Sequence, residues 1–481
     1  MIFTQGTSPT RWRFGQRGLL GTIVGLLIQC VWINPLHAVD LMDVYYQALD
    51  SDPQFKQAYS QFLAQNEALP QAWAHLLPQL TLSALAGRYG QRVDTGIFKV
   101  AASYNGTTLQ AVATQNIFNY QAWSQVQLAK ASVRAALATF NNEAQQLMLR
   151  TTSAYLTLLL AQDTLHFAQA KKAANLKQLE QAQARFKVGL DAITAVYEAQ
   201  AAYDQSTADV IASNNKVLNE AQNLSKITNH LYDHIATLRR HEIPLIAPEP
   251  NRIDDWVSTG LKQNFNLFVA KYNLESAREN IKVQTAGNWP VFSIKGGSID
   301  TRYNDVPAQS NITGNFASQL FIPRERLINT IELGMNFPIF QGGLVASQTR
   351  QAKYQFQASS EQLEKTYRDV IANSHIAFNT VNDGISKVKA DRQTILSQQS
   401  SLDSVYAQYK VGTRTMTDVV NAQRNLFEAQ EQLASDQYAF INAILNLKYL
   451  AGTLNVDDLA QINAWLATTR RDGIAPRPRL H

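Results

Sequence analysis

Apolar positions along this chain change their period several times, and each change marks an element. From Asp40 to Glu67, residues Leu41, Val44, Tyr45, Ala48 and Leu49 recur at helical spacing, which predicts a helix over 40–67 with a break at Asp52-Pro53. At Leu76-Leu77-Pro78-Gln79-Leu80 the period switches from helix to strand. Leu80, Leu82 and Ala84 then alternate with Thr81 and Ser83, and a second run sets Leu109, Ala111 and Ala113 against Thr108, Gln110 and Thr114, so strands are expected within 78–118. Between Asn119 and Lys187 there is neither proline nor a turn cluster, which permits one helix on the order of 100 Å at about 1.5 Å per residue. A second helix follows from about Ala192 to Asn229 and returns antiparallel to it, giving a helical hairpin over 119–229. Pro244, Pro248 and Pro250 then mark a linker over 230–250.

After the linker the plan repeats. A helix is expected over 256–284, and strands over 290–340, where Ile331, Leu333, Met335 and Phe337 alternate with Thr330, Glu332, Gly334 and Asn336. A second helical hairpin occupies 342–451, and its first helix carries Leu363, Tyr367, Val370, Ser374, Ala377 and Val381 at heptad spacing. Residues 39–229 and 251–451 thus read as two copies of one unit: helix, strand pair, long helical hairpin. From 452 to 481 the chain is partly helical around Leu459 to Leu466, then basic and expected to be disordered.

Both hairpins turn at the same motif. Phe186-Lys187-Val188-Gly189 ends the first long helix and Tyr409-Lys410-Val411-Gly412 ends the third, because glycine accepts the left-handed conformation of a helix C-cap.

Composition modifies this picture at the amino end. Residues 1–38 read as a cleaved secretory signal, with Arg11, Arg13 and Arg17, an apolar run from Leu19 to Ile33, and a small-residue site at Ala38. The only cysteine, Cys30, lies in that run; a lipid-anchored reading of it is disfavoured by Gln29, where such sites want a small residue. The 43 basic and 38 acidic residues become nearly balanced once the leader arginines are removed, so nothing calls for nucleic acid. Past the leader no stretch approaches the roughly 18 apolar residues of a spanning helix, and membrane entry would have to be by strands. Four strands per chain cannot sit in lipid as an open sheet, since the edges would expose unpaired backbone groups. Several copies must then share one closed barrel, with the helical hairpins projecting into water.

Several motifs, taken in order, carry a family resemblance. They are Asp40-Leu41-Met42-Asp43-Val44-Tyr45, Leu76-Leu77-Pro78-Gln79-Leu80, Arg185-Phe186-Lys187-Val188-Gly189-Leu190, Ala192-Ile193-Thr194, Gln341-Gly342-Gly343, Val411-Gly412-Thr413-Arg414-Thr415 and Leu450-Ala451-Gly452-Thr453-Leu454. On these, residues 39 to about 466 resemble the TolC family of trimeric outer-membrane efflux ducts. The resemblance implies a mixed α+β membrane protein, a homotrimer whose twelve-stranded outer-membrane β-barrel continues into a periplasmic α-helical barrel. It also implies docking to a periplasmic adaptor, through tips that include Gly189 and Gly412, and to an inner-membrane efflux pump or ABC transporter. Drugs or secreted proteins would then leave in one step.

At the tip, the resemblance matches Tyr409 and Arg414 to a linking tyrosine and arginine, Thr194 to a linking threonine, and Asp418 to a constriction aspartate facing the lumen. Two positions depart from the pattern: Ala195 replaces a carboxylate that accepts those links, and Asn421 replaces a second constriction aspartate. Arg414 then needs another partner, with Asp191 and Glu198 as candidates. Each residue also has a plain structural role to fill: Asp418 as a capping acid three after Thr415, Tyr409 as a core residue of the seam, Arg414 as a solvated tip residue.

No nucleotide loop, nucleophile elbow, zinc-helix motif or paired-carboxylate site occurs, and His75, His375 and the remaining histidines lack metal-ligand spacing. An enzyme is not expected and no cofactor is implied, so the energy for transport must come from a partner. The alternative is a periplasmic coiled-coil structural or adaptor protein whose strands form a soluble domain.

Overall fold

The computed structural model describes residues 39–94, 99–232, 234–238, 243–304 and 324–466. The expected leader and the basic tail lie outside the described residues.

Three short helices open the chain: α1 (Leu41–Ser51), α2 (Pro53–Asn66) and α3 (Ala68–Ala74). Asp52 explains the first break, because it caps α2 by accepting from Gln54 N while Pro53 takes the first helical position, where a missing N–H costs nothing. Strands β1 (Gln79–Asp94) and β2 (Lys99–Phe118) lead into α4 (Tyr120–Lys187), 68 residues without interruption, and α5 (Ile193–Thr228). The order recurs with α6 (Ile253–Gln263), α7 (Phe265–Thr285), β3 (Val291–Asn304), β4 (Glu325–Asn336), α8 (Leu344–Lys410) and α9 (Met416–Leu450), and α10 (Val456–Asn463) closes the described chain. The helix expected over 256–284 is split at Asn264, whose side chain caps α7 at Leu267 N and donates to Leu450 O at 2.8 Å.

Three helices end in the same hydrogen-bonded turn. At Gly189 (φ +75°), Gly412 (φ +81°) and Gly452 (φ +72°) the glycine N–H and the N–H after it reach back to carbonyls of the last turn. This double link satisfies groups that a helix end otherwise leaves bare.

The four strands form one antiparallel sheet in the order β1-β2-β3-β4. Its two faces differ in chemistry. Leu80, Leu82, Leu109, Ile294, Ile331 and Leu333 share one face, and Leu80 (78%), Ile331 (89%) and Leu333 (73%) lie bare on the single chain. Thr81, Ser83, Gln110, Thr114, Lys295, Thr330 and Glu332 share the other. An exposed leucine face backed by a polar face suits a strand wall between lipid and water.

The main core sits where the short helices gird the hairpins. Leu41, Val44, Leu147, Tyr155, Leu156, Leu159, Phe440, Ile441, Leu445 and Leu459 are fully or almost fully buried there. The proline-bearing stretch expected only as a linker also enters this core through Ile235, Ala236, Leu238 and Ile243. It is pinned by a bridge from Ile235 to Val39 and by the Tyr155 hydroxyl on Ala236 O at 2.6 Å. On α8 the heptad seam is buried from Val370 through Ser374 and Ala377 to Val381, whereas Tyr367 is 42% exposed. Part of that seam meets α6 as well as α9, because Gly260 lets α6 lie against Val370 and Ser374, where a Cβ would come within 3.3 Å of Val370.

Candidate gate at the helical tip

A second, smaller core holds the two hairpins together near their turns: Leu179 and Ala182 of α4, Ala199 of α5, Tyr409 of α8, and Met416 and Val419 of α9. Above it, Gln178 donates its amide to Gln423 between α4 and α9, and both residues are buried. The turns are therefore braced against each other within one chain.

Tyr409 is 4% exposed, yet its hydroxyl reaches out of the core and donates to Asp191 Oδ2 at 2.6 Å. Asp191 lies in the turn after Gly189 and also accepts from Arg185, Nε on Oδ2 at 3.0 Å and a terminal nitrogen on Oδ1 at 3.2 Å. The Arg185 guanidinium stacks 5.0 Å from the Tyr409 ring centre. A bidentate arginine, a carboxylate and a phenol thus close a triangle between the first hairpin's turn and the end of α8. Partial burial works against ionisation of Asp191, but the bonds from Arg185 and Tyr409 outweigh it and hold its pKa below the ordinary 3.8. Burial, then the adjoining Asp191 carboxylate, push the Tyr409 hydroxyl well above its ordinary 10.

Asp418 fills its capping role: Thr415 Oγ1 accepts from Asp418 N at 3.3 Å, and Asp418 Oδ2 accepts from Thr415 N at 2.9 Å. Those backbone and hydroxyl bonds from Thr415 lower its pKa. Arg414 bonds to Gln408 Oε1 at 3.2 Å and stands 3.8 Å from Asp418. Within this one chain Arg414 is bonded to neither of its candidate partners, Asp191 and Glu198. Asp191 is already occupied by Arg185 and Tyr409, Glu198 is exposed on α5, and the carboxylate within reach of Arg414 lies one helical turn on. Thr194 and Asn421 are exposed, on the first turn of α5 and one turn past Asp418 on α9. Sequence reasoning missed Arg185 as a partner; its signal was a cation and an acid bracketing the Gly189 turn.

Among the described residues no group of His, Cys, Asp and Glu is arranged to hold a metal, and no helix is long and apolar enough to cross a membrane.

A sheet that is incomplete alone, with one bare leucine face, leads into helices of 68 and 67 residues braced at a tip rich in ionic contacts. That combination defines a passive outer-membrane duct assembled from several chains. The chain belongs to the outer membrane efflux protein family, whose model matches residues 44–230 and 256–453. It is 34% identical over 463 residues to the outer membrane protein TolC of Escherichia coli K12, covering 95% of this chain and 92% of that one. It is 24% identical over 434 residues to the alkaline protease secretion protein AprF of Pseudomonas aeruginosa, covering 89% and 87%. The solved structure of the Campylobacter jejuni CmeC outer membrane channel superposes with a TM-score of 0.72 at 14% identity, over 89% of this chain and 90% of that one. The protein is accordingly a trimeric outer-membrane exit duct with its helical part in the periplasm, working with periplasmic adaptors and inner-membrane pumps; it is not an enzyme. The reading as a soluble periplasmic coiled coil is set aside.

Proposed function

We propose that this duct is held shut at its periplasmic tip by a lock internal to each protomer, in which Asp191, clamped by Arg185, holds Tyr409. The observation that carries it is the 2.6 Å bond from Tyr409 to Asp191, which ties the turn of one hairpin to the other. An iris made of paired hairpins opens only if the pairs move apart, and this bond must break for that. Thr194, Arg414, Asp418 and Asn421 belong to the same tip, with Asp418 as the carboxylate ring of the constriction, while Glu198 stands aside. Gly189 and Gly412 shape the turns an adaptor would grip. The likeness to TolC and to a protease secretion protein supports a cargo range from small molecules to secreted polypeptides.

Single-channel conductance in planar bilayers tests the lock. Tyr409→Phe and Asp191→Asn should each raise the resting conductance, and the double variant should rise little further because both remove one bond. Wild-type conductance in both single variants would refute it.

A further inference from the structure

Three tyrosines from three adjacent strands meet near the outer end of the sheet. Tyr89 of β1 and Tyr104 of β2 face each other in register, their rings stacked at 5.8 Å and 22°. Tyr303 of β3 stands edge-on to both, at 5.1 Å and 81° from Tyr104 and at 6.2 Å and 89° from Tyr89. Gly106 lies buried beneath them; a Cβ there would come within 2.8 Å of both Tyr303 and Tyr89. The cluster therefore depends on a position with no side chain. The half-buried rings close over this glycine as an aromatic cluster in which one ring stands edge-on to the stacked pair.

Strand alternation tells which way this cluster looks. Tyr89 lies on the face of β1 that carries Thr81 and Ser83, and Tyr104 and Tyr303 share it with Thr108, Gln110 and Thr301. The leucine face, with Leu80, Leu82 and Leu109, is the opposite one. A barrel in lipid turns its leucine face outward, so the tyrosines line the lumen and are not part of a lipid-side aromatic belt. On the same face Arg326 of β4 is the register partner of Thr301 and is exposed. The nearest carboxylate of that face among the described residues is Glu332, further along β4 and paired across to Lys295. Among the described residues the cluster thus has a cation beside it on its own face, while Asp300 and Glu325 lie on the opposite face, paired with Arg302.

We propose that this cluster is a binding platform for planar aromatic anions inside the outer mouth of the duct, repeated once per protomer: the ring stacks on the tyrosines and the acidic group meets Arg326. The platform rests on the closed-barrel reading of the sheet and is independent of the tip lock. It makes the exit a place where aromatic cargo pauses and where external aromatic anions can plug the pore.

The test is block of single-channel current by 2-naphthalenesulfonate added to the external side of the intact trimer in a planar bilayer. Cyclohexanesulfonate and a naphthyl-trimethylammonium ion serve as comparisons. The naphthalene anion should block about tenfold more tightly than either, the scale of one good stacking contact. Tyr104→Leu should abolish that preference and Tyr104→Phe should keep it. Arg326→Gln, at an exposed position that leaves the rings packed, should weaken the block by several-fold and carries the test should Tyr104→Leu fail to give a heat-resistant trimer. Equal block by the two sulfonates, or a preference unchanged in Arg326→Gln and Tyr104→Leu, overturns the platform. A trimer that conducts no current at all overturns the barrel reading and the platform with it.

Discussion

The hydroxyl of Tyr409 donates to Asp191 across a separation of 218 residues, at 2.6 Å. The acid that meets it stands in the turn between α4 and α5, and Arg185 holds it in place.

Acid is expected to loosen the tip. A carboxylate whose folded pKa is depressed contributes stability that is complete above its unfolded value and is lost as pH falls through the folded one. Asp191 is held below 3.8, so conductance should be flat from neutral pH down to about 4 and rise below it. In Asp191→Asn the resting level should already be high and the rise at low pH absent, which separates this group from the exposed, likewise depressed Asp418.

Among the charged groups near the turns, Arg185 should matter more than Glu198. Arg185→Gln removes two bonds to Asp191 and the stack on Tyr409, and it should raise resting conductance toward the Asp191→Asn level. Glu198→Ala should leave conductance at the wild-type value. Bilayer recordings of the two variants side by side decide it.

Asn421 gives a charge test. If Asp418 supplies the carboxylate of the constriction, Asn421→Asp adds a second ring one turn away, and the negative field along the path doubles its sources. Cation preference, read as a reversal potential in a salt gradient, should increase.

In the shaft between α8 and α9, Asp391 is pushed up to about 6, first by burial and then by the bond and charge of Asp436, with Lys387 opposing. Because this acid is raised, the folded state favours its proton: the stabilisation is full below 3.8 and is lost as pH rises through about 6. Asp391→Asn should therefore raise the heat-dissociation temperature of the trimer at about pH 7.5 and change it little at about pH 4.

Two glycines with nearly the same φ should respond differently to alanine. At Gly189 nothing lies within 4 Å of an added Cβ, so Gly189→Ala should cost only the left-handed strain, about 1–2 kcal/mol. At Gly452 the Cβ would stand 2.2 Å from Gln263 O and 2.5 Å from its carbonyl carbon, both backbone atoms. Gly452→Ala should exceed that by about 1–3 kcal/mol or fail to assemble, as measured by the yield of heat-resistant trimer.

Much of this architecture was legible in the order of residues because its signals are local. Helix length follows from the absence of proline between Asn119 and Lys187, the turns from Gly189 and Gly412, the strand faces from alternation at Leu80 and Ile331, and the cap from Thr415 and Asp418 three residues apart. Each rests on backbone geometry decided within a few residues. What only the tertiary structure decided are pairings between distant points: the bond of Tyr409 to Asp191, Arg185 on the same carboxylate, Ile235 and Leu238 as core rather than linker, and three tyrosines closing over Gly106. Such contacts carry no period in the sequence, because they depend on where long helices and neighbouring strands bring separate side chains to within bonding distance.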